Sequence, residues 1–360
     1  MPIEFTDRIR RIPAYPLAAG YDLGDDVAML ASNEACFAPS IEVLDAANRV
    51  MAGTHRYPDP SYQPLRQALA DRYGIPRERI ALGNGSCDIL LSAGEALLEP
   101  GAEVVYAWPA FSVYPHLAAA SGATAIEVPL DSEDRHDLDA MAKEITVATR
   151  LVLICNPNNP TSTSVGLEQI EAFLAKVPRY VCVILDEAYC EFALVLGDPY
   201  ASVELLRRHP NLILLRTFSK AYGLAGMRVG YGLCGADDLR TAVDQVRQPF
   251  YLNSPAQAAA VEALRHQDEV ERRVVHTVAA RIAVTDGLRA LGLWVAESDA
   301  NFVWTHLPSP EVEPEIVAGL RERGVLVRAG AALGRPGSLR VTVGTDSENR
   351  RFLAAIGELV

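Results

Sequence analysis

The 360-residue chain is 49 % hydrophobic and 22 % charged, an ordinary globular composition that excludes extensive disorder and exceeds what one core usually serves. Its 33 basic against 46 acidic residues leave a formal charge of −13, which disfavours nucleic acid or an anionic membrane as partner, since both need a basic footprint. Six cysteines without a C-x-x-C pair read as reduced thiols, and no segment has the apolar length of a signal peptide or membrane helix, so a cytoplasmic protein is expected.

In chain order, residues 1–30 form a segment expected to pack with a smaller C-terminal unit. RYPDP (56–60) carries Tyr57 and reads locally as a surface turn. GNGSCD (83–88) precedes an apolar helical pattern, and its glycines with the amides of Ser86 and Cys87 could hold a phosphate at a helix N-terminus. A plain strand-to-helix turn fits it equally, and Asp88 stands where a dinucleotide fingerprint needs glycine. Strands are predicted at 101–108, 123–130, 150–156, 180–187, 211–218 and 227–233, with helical periodicity between several of them, as in LEQIEAFLAKV (167–177). Short β-rich runs flanking amphipathic helices predict an α/β fold around a mostly parallel sheet. Polar groups gather after these strands: Asn156 to Ser162, Asp186 to Tyr189, then Ser219 and Lys220. Ligands of open α/β sheets sit beyond the carboxyl ends of the strands, so these groups should converge. Past residue 250 come a long helix over 255–291, broken near its middle, and strands at 301–307, 324–330 and 338–344. This predicts a large domain over 31–252 and a smaller α+β domain over 253–360, with the boundary near Tyr251 to Ser254.

Only three lysines occur, Lys143, Lys176 and Lys220. Lys220 follows an apolar strand, where desolvation lowers an amine below its usual ~10.4 and frees a nucleophile. Snorkelling to solvent is its alternative fate. Asp186 closes another apolar strand, where a carboxylate could pair with a protonated ring nitrogen. It also resembles a Walker B aspartate, but no Gly-Lys dipeptide exists, which excludes a P-loop. CNPNNPTS (155–162) fits a stiff turn beside a ligand or an ordinary turn. Arg340 in SLRVTVG, and Arg328 in VLVRAG, need an anionic partner if buried, either a ligand carboxylate or an internal Asp or Glu. There is no metal-ligand spacing and no G-x-S-x-G.

Taken in order, SNE (32–34), RYPDP, GNGS, CNPNNPT, DEAY, FSKAYGLAGMRVGY and LRVTVG resemble the class I/II, fold-type-I aminotransferases over essentially the whole chain. The pattern is most similar to the histidinol-phosphate aminotransferase group and its aromatic amino-acid (phenylalanine) branch. The resemblance implies an aspartate-aminotransferase-like large domain, a smaller α+β domain, and pyridoxal 5'-phosphate held by Lys220 as a Schiff base. It further implies Asp186 at the pyridinium nitrogen, and Asn159 and Tyr189 at the ring's phenolic oxygen. The phosphate would fall to Ser86, Cys87, Ser219 and Arg228, and Phe111 would stack on the ring. Tyr57 would reach the phosphate of a neighbouring subunit, which implies a homodimer. Arg340 would grip the substrate carboxylate, with Asn33 nearby, and Tyr15 and Arg328 fall where a phosphorylated side chain could be served. Departures from the family's usual pattern are Ser162 for glycine, SNEACFAPS for SNENPFGPS, and Phe111 for tyrosine; they resemble the aromatic branch. The implied activity is amino transfer from an aromatic L-amino acid to a 2-oxo acid such as 2-oxoglutarate. Histidinol phosphate is the alternative donor, and a non-catalytic pyridoxal-phosphate-binding regulator is a remote second alternative. Holding the carboxylate at Arg340 argues against decarboxylation.

Overall fold

Strand residues in the middle of the chain are apolar on both faces, which requires a sheet covered on each side. The computed structural model describes residues 3–12, 26–193, 198 and 200–360. A short strand β1 (Ala28–Met29) precedes β2 (Ile80–Gly83), β3 (Glu103–Trp108), β4 (Thr124–Pro129), β5 (Thr149–Cys155), β6 (Cys182–Asp186), β7 (Leu212–Thr217) and β8 (Gly230–Cys234). Strands β2 to β8 form one sheet in the order β2-β8-β7-β6-β5-β3-β4. Its pairings are parallel from β4 to β7, while β8 runs antiparallel to both β7 and β2. The expected mostly parallel sheet is present.

Side chains alternate with the two-residue period of a strand. Val105, Ala107, Val152 and Ile154 enter one apolar cluster, whereas Val104, Tyr106, Leu151 and Leu153 enter the other. Helices Ile41–Met51, Gln63–Tyr73 and Leu167–Leu174 cover the first face through Val43, Leu65, Leu69, Ile170 and Phe173. Helices Ser86–Leu97, Tyr114–Ser121 and Asp237–Gln245 cover the second through Ile89, Leu90, Leu117 and Val243. Each such side chain contributes roughly 1.5–3 kcal/mol by burial, which makes this double covering the main source of stability.

The C-terminal part adds β9 (Trp294–Val295), β10 (Phe302–His306), β11 (Val325–Leu326), β12 (Arg328–Ala329) and β13 (Ser338–Thr342). Four of them form an antiparallel sheet, β12-β13-β10-β9. Helices Gln267–Ala290, Glu313–Glu322 and Asp346–Gly357 back it through Leu288, Leu320 and Phe352.

Three details depart from the sequence expectation. The four residues of β2 lie between a 3-10 turn and a Gly-rich loop, too short for alternation to register. The strand expected over 324–330 is divided: β11 pairs in parallel with β1, while β12 joins β13. The long helix is two, Ser254–Arg265 and Gln267–Ala290, broken at His266 (φ −106°, ψ 56°) and so nearer its start than its middle.

Candidate active site

Polar side chains cannot be carried inside this sheet without partners, and they collect where the strands stop. Asp186 is the last residue of β6, Ser219 and Lys220 follow β7, Asn159 lies four residues past β5, and Phe111 follows β3. Together with Ser86 at the start of its helix, they line one cavity of about 450 Å³. Arg328, Leu333 and Arg340 close it from the smaller sheet, and Ala31 to Glu34 close it from the N-terminal side.

Lys220 is partly open to this cavity, and its Nζ donates to the carbonyl of Asn33 at 2.8 Å. Burial of the ammonium, reinforced by the charge of Arg340, pushes its pKa down to about 7. Asp186 is buried in the same lining, and burial pushes its carboxyl up to about 6. Two hydrogen bonds oppose that rise, from Ala188 N–H at 3.2 Å and from the Tyr114 hydroxyl at 3.3 Å. A depressed amine and a raised carboxyl in one cleft are what acid–base chemistry near neutrality requires.

The loop before helix Ser86–Leu97 is shaped for an anion. Gly85 has φ 76°, and a Cβ placed there would lie 2.4 Å from the Arg228 guanidinium. A Cβ on Gly230 would lie 2.3 Å from the Ser86 amide. The positive φ favours glycine at 85, and the backbone approach requires it at 230, so the helix N-terminus stays open beside an arginine. Asp88 accepts the Asn84 N–H at 3.0 Å and fixes the loop; Ser219 Oγ accepts from Thr217 at 3.0 Å. Cys87 lines the cavity as a thiol, pushed up to about 11 by burial.

Across the cavity, Arg340 is buried and donates to Asn159 Oδ1 and to the Ala31 carbonyl, each at 2.6 Å. Its guanidinium sits 5.5 Å over the Phe302 ring. Arg328 is its register partner on β12 and is likewise buried at the cavity wall. Tyr189 accepts from Asn33 Nδ2 at 3.1 Å, and burial pushes its phenol up. Asn33 itself takes φ 53°, with its N–H donated to Thr342 Oγ1 at 2.8 Å.

The profile of the family described as "Aminotransferase class I and II" matches residues 25–356. This chain belongs to that family. The aromatic amino acid aminotransferase of Thermobifida fusca is 45 % identical over 328 residues, covering 91 % of this chain and 88 % of that protein. Histidinol-phosphate aminotransferase 2 of Ralstonia nicotianae is 43 % identical over 331 residues, covering 92 % and 88 %. The crystal structure of histidinol-phosphate aminotransferase from Sinorhizobium meliloti in complex with pyridoxal-5'-phosphate superposes with a TM-score of 0.89 at 30 % identity, covering 99 % and 97 % of the two chains. A Thermus thermophilus aspartate aminotransferase mutant superposes at 0.83 and 25 % identity, covering 99 % of each. The aspartate-aminotransferase-like fold and the transaminase activity follow, and the non-catalytic alternative is set aside.

Most residues singled out in the sequence of this aminotransferase meet in the cavity: Asn33, Ser86, Cys87, Phe111, Asn159, Asp186, Tyr189, Ser219, Lys220, Arg228, Arg328 and Arg340. Tyr57 does not; it is 81 % exposed and stacks on Phe250 at 4.6 Å, away from that lining. Tyr15 lies outside the described residues. Sequence reasoning missed Tyr114, whose one visible signal is its place three residues after Phe111. It also missed Asp134, a buried carboxylate that meets Trp304 Nε1 at 3.0 Å, His306 Nε2 at 2.9 Å and the Arg335 guanidinium. Asp134 thereby ties the loop bearing Leu333 to the large sheet's surroundings, and nothing in a polar DSEDRHD run announces it.

Proposed function

We propose that this aminotransferase uses pyridoxal 5'-phosphate to move the amino group of an aromatic L-amino acid to a 2-oxo acid such as 2-oxoglutarate. One observation carries the reading. A lowered amine on Lys220, a buried carboxylate on Asp186, a glycine-kept anion cradle and a buried Arg340 border one cavity of about 450 Å³. The cofactor's donor needs match them. The amine would take the aldehyde, Asp186 would face the basic ring nitrogen, and Ser86, Cys87, Ser219 and Arg228 would hold the phosphate, beside a Gly230 that a methyl group would drive into the Ser86 amide.

When bound, the cofactor supplies an electron-withdrawing ring that takes up the pair left at the substrate Cα. This chain's residues do the rest. Lys220 would hold the cofactor covalently and, once freed as an amine near pH 7, would take the proton from the donor's Cα and pass it to the former aldehyde carbon, with both transfers reversed on the 2-oxo acid. Asp186 would keep the ring nitrogen protonated. Asn159 and Tyr189 would hold the phenolic oxygen, and Phe111 would confine the ring face. Arg340 grips the substrate carboxylate through its planar fork, oriented by Asn159 and the Ala31 carbonyl. Asn33 braces both Lys220 and Tyr189.

Aromatic donors are favoured by the apolar wall of Phe111 and Leu333. The buried Arg328 on the same wall supports histidinol phosphate as a second reading. Comparing kcat/KM for phenylalanine and histidinol phosphate tests the order; a strong preference for the phosphorylated donor overturns it.

We further propose a cytoplasmic homodimer in which Tyr57 contacts the cofactor phosphate of the partner subunit. The exposed Tyr57–Phe250 stack supports this, since large apolar rings left on a surface mark contact sites. Sedimentation should give twice the 39.0 kDa chain mass, and Tyr57→Ala should weaken cofactor retention. The division into residues 1–30, 31–252 and 253–360 is also our proposal; limited proteolysis near residue 252 tests it. Helix Ser254–Arg265, beyond that boundary, packs on the larger unit through Ala256, Ala259 and Ala260.

A further inference from the structure

Tyr114 belongs to no motif and has no part in the roles above. It opens helix Tyr114–Ser121, three residues after Phe111, a spacing that sets two side chains on one side of a turn. Its ring stands edge-on to Phe111 at 5.9 Å and 82°, and to Tyr106 at 5.8 Å. The residue is fully buried, so its hydroxyl must find a partner inside the protein.

Two acceptors are in reach, Asp186 Oδ2 at 3.3 Å and the Cys155 sulfur. Cys155 donates its own proton to the Pro157 carbonyl at 3.4 Å, and sulfur is the weaker acceptor. The phenolic proton therefore goes to the carboxylate. The other carboxylate oxygen takes the Ala188 N–H at 3.2 Å. Among the described residues these two donors are the hydrogen-bond partners of the Asp186 carboxylate, and both are neutral. Lys220 acts on it only through its charge.

Asp186 thus faces a conflict. Burial favours its protonated form, while holding a protonated ring nitrogen requires the ionised one. A hydrogen bond donated to the ionised form is what tips the balance.

We propose that Tyr114 is a positioning residue that keeps Asp186 ionised and turns the carboxylate's remaining lone pairs toward the cavity. The same side chain sets the angle of Phe111, so it aligns the edge and the face of the cofactor's slot together. The proposal rests on the role given to Asp186 under the proposed function. The other titratable groups facing Asp186 are Cys87, Cys155, Glu187, Tyr189 and Lys220, and none of them donates a hydrogen bond to it.

The test is equilibrium retention of pyridoxal 5'-phosphate by the protein against pH, read by cofactor fluorescence after dialysis. Retention in the wild-type protein should fall as acid protonates Asp186. Tyr114→Phe, which removes one oxygen, should move that midpoint up by about one pH unit, because the ionised form loses its donor. Installing 3-fluorotyrosine at position 114, a more acidic phenol of the same shape, should move it down. Unchanged midpoints in both proteins overturn the proposal. Asp186→Asn separates the two layers: if it keeps the wild-type pH dependence, the role of Asp186 itself fails. If it removes the step set by Asp186, leaving only the one set by Lys220, while Tyr114→Phe and the fluorinated protein shift nothing, the role of Tyr114 alone fails.

Discussion

The two halves of the cavity are built differently. The half around Asp186, Ser219, Lys220 and the Gly85 loop is made from adjacent strand ends of a single sheet, with partners near in sequence: Asp186 with Ala188, Ser219 with Thr217. The opposite half joins segments far apart. Arg340 meets Asn159 across 181 positions, and Asn33 meets Thr342 across 309. The first half is rigid because a buried sheet holds it, whereas the second depends on the smaller sheet staying docked. That difference predicts which losses fall on chemistry and which on substrate binding.

Lys220→Ala removes the only amine in the cavity lining and should lower kcat by about 10³-fold or more, in a protein that still folds. A variant with near-normal kcat would break the claim that the sheet-end half carries the proton transfer. Arg340→Ala should act mainly through KM for both the amino donor and the 2-oxo acid, with kcat/KM falling roughly 10²-fold. A loss confined to kcat would show that the far half does chemistry too. Gly85→Ala strains a residue at φ 76° and pushes a methyl into Arg228, and should weaken cofactor retention roughly 10-fold with little effect on turnover once the protein is loaded.

The smallest effect sharpens the contrast through pH. Lys220 has its pKa lowered from 10.5 to about 7, so the neutral amine is present above that value and is lost as pH falls through it. The rate at which the cofactor-free protein combines with pyridoxal 5'-phosphate should rise between pH 6 and 8 and then level. In Arg340→Ala that rise should begin at higher pH, because a neighbouring positive charge that depresses the amine is gone. Stopped-flow absorbance reads both curves.

The same contrast explains what could be read from the chain. The sheet-end half was legible because strand patterns place Asp186 and Lys220 at carboxyl ends and because each motif is continuous. The six strands expected between 101 and 233 are all present, with ends displaced by up to three residues, as where 227–233 becomes Gly230–Cys234. The far half was legible only by resemblance. No local pattern says that Arg340 touches Asn159, that Asp134 collects Trp304, His306 and Arg335, or that 324–330 divides between two sheets. Those facts come from docking, and docking leaves no periodicity. Tyr114 falls between: its spacing from Phe111 is visible, but its hydrogen bond to a strand 72 positions away is not.

The most direct measurement is to reduce the cofactor-loaded protein with borohydride, digest it and map the pyridoxyl label. With three lysines in the chain, Lys143, Lys176 and Lys220, the result has few possible outcomes. One label per chain is expected, on Lys220. A label on Lys143 or Lys176, or no label at all in an active protein, would contradict it.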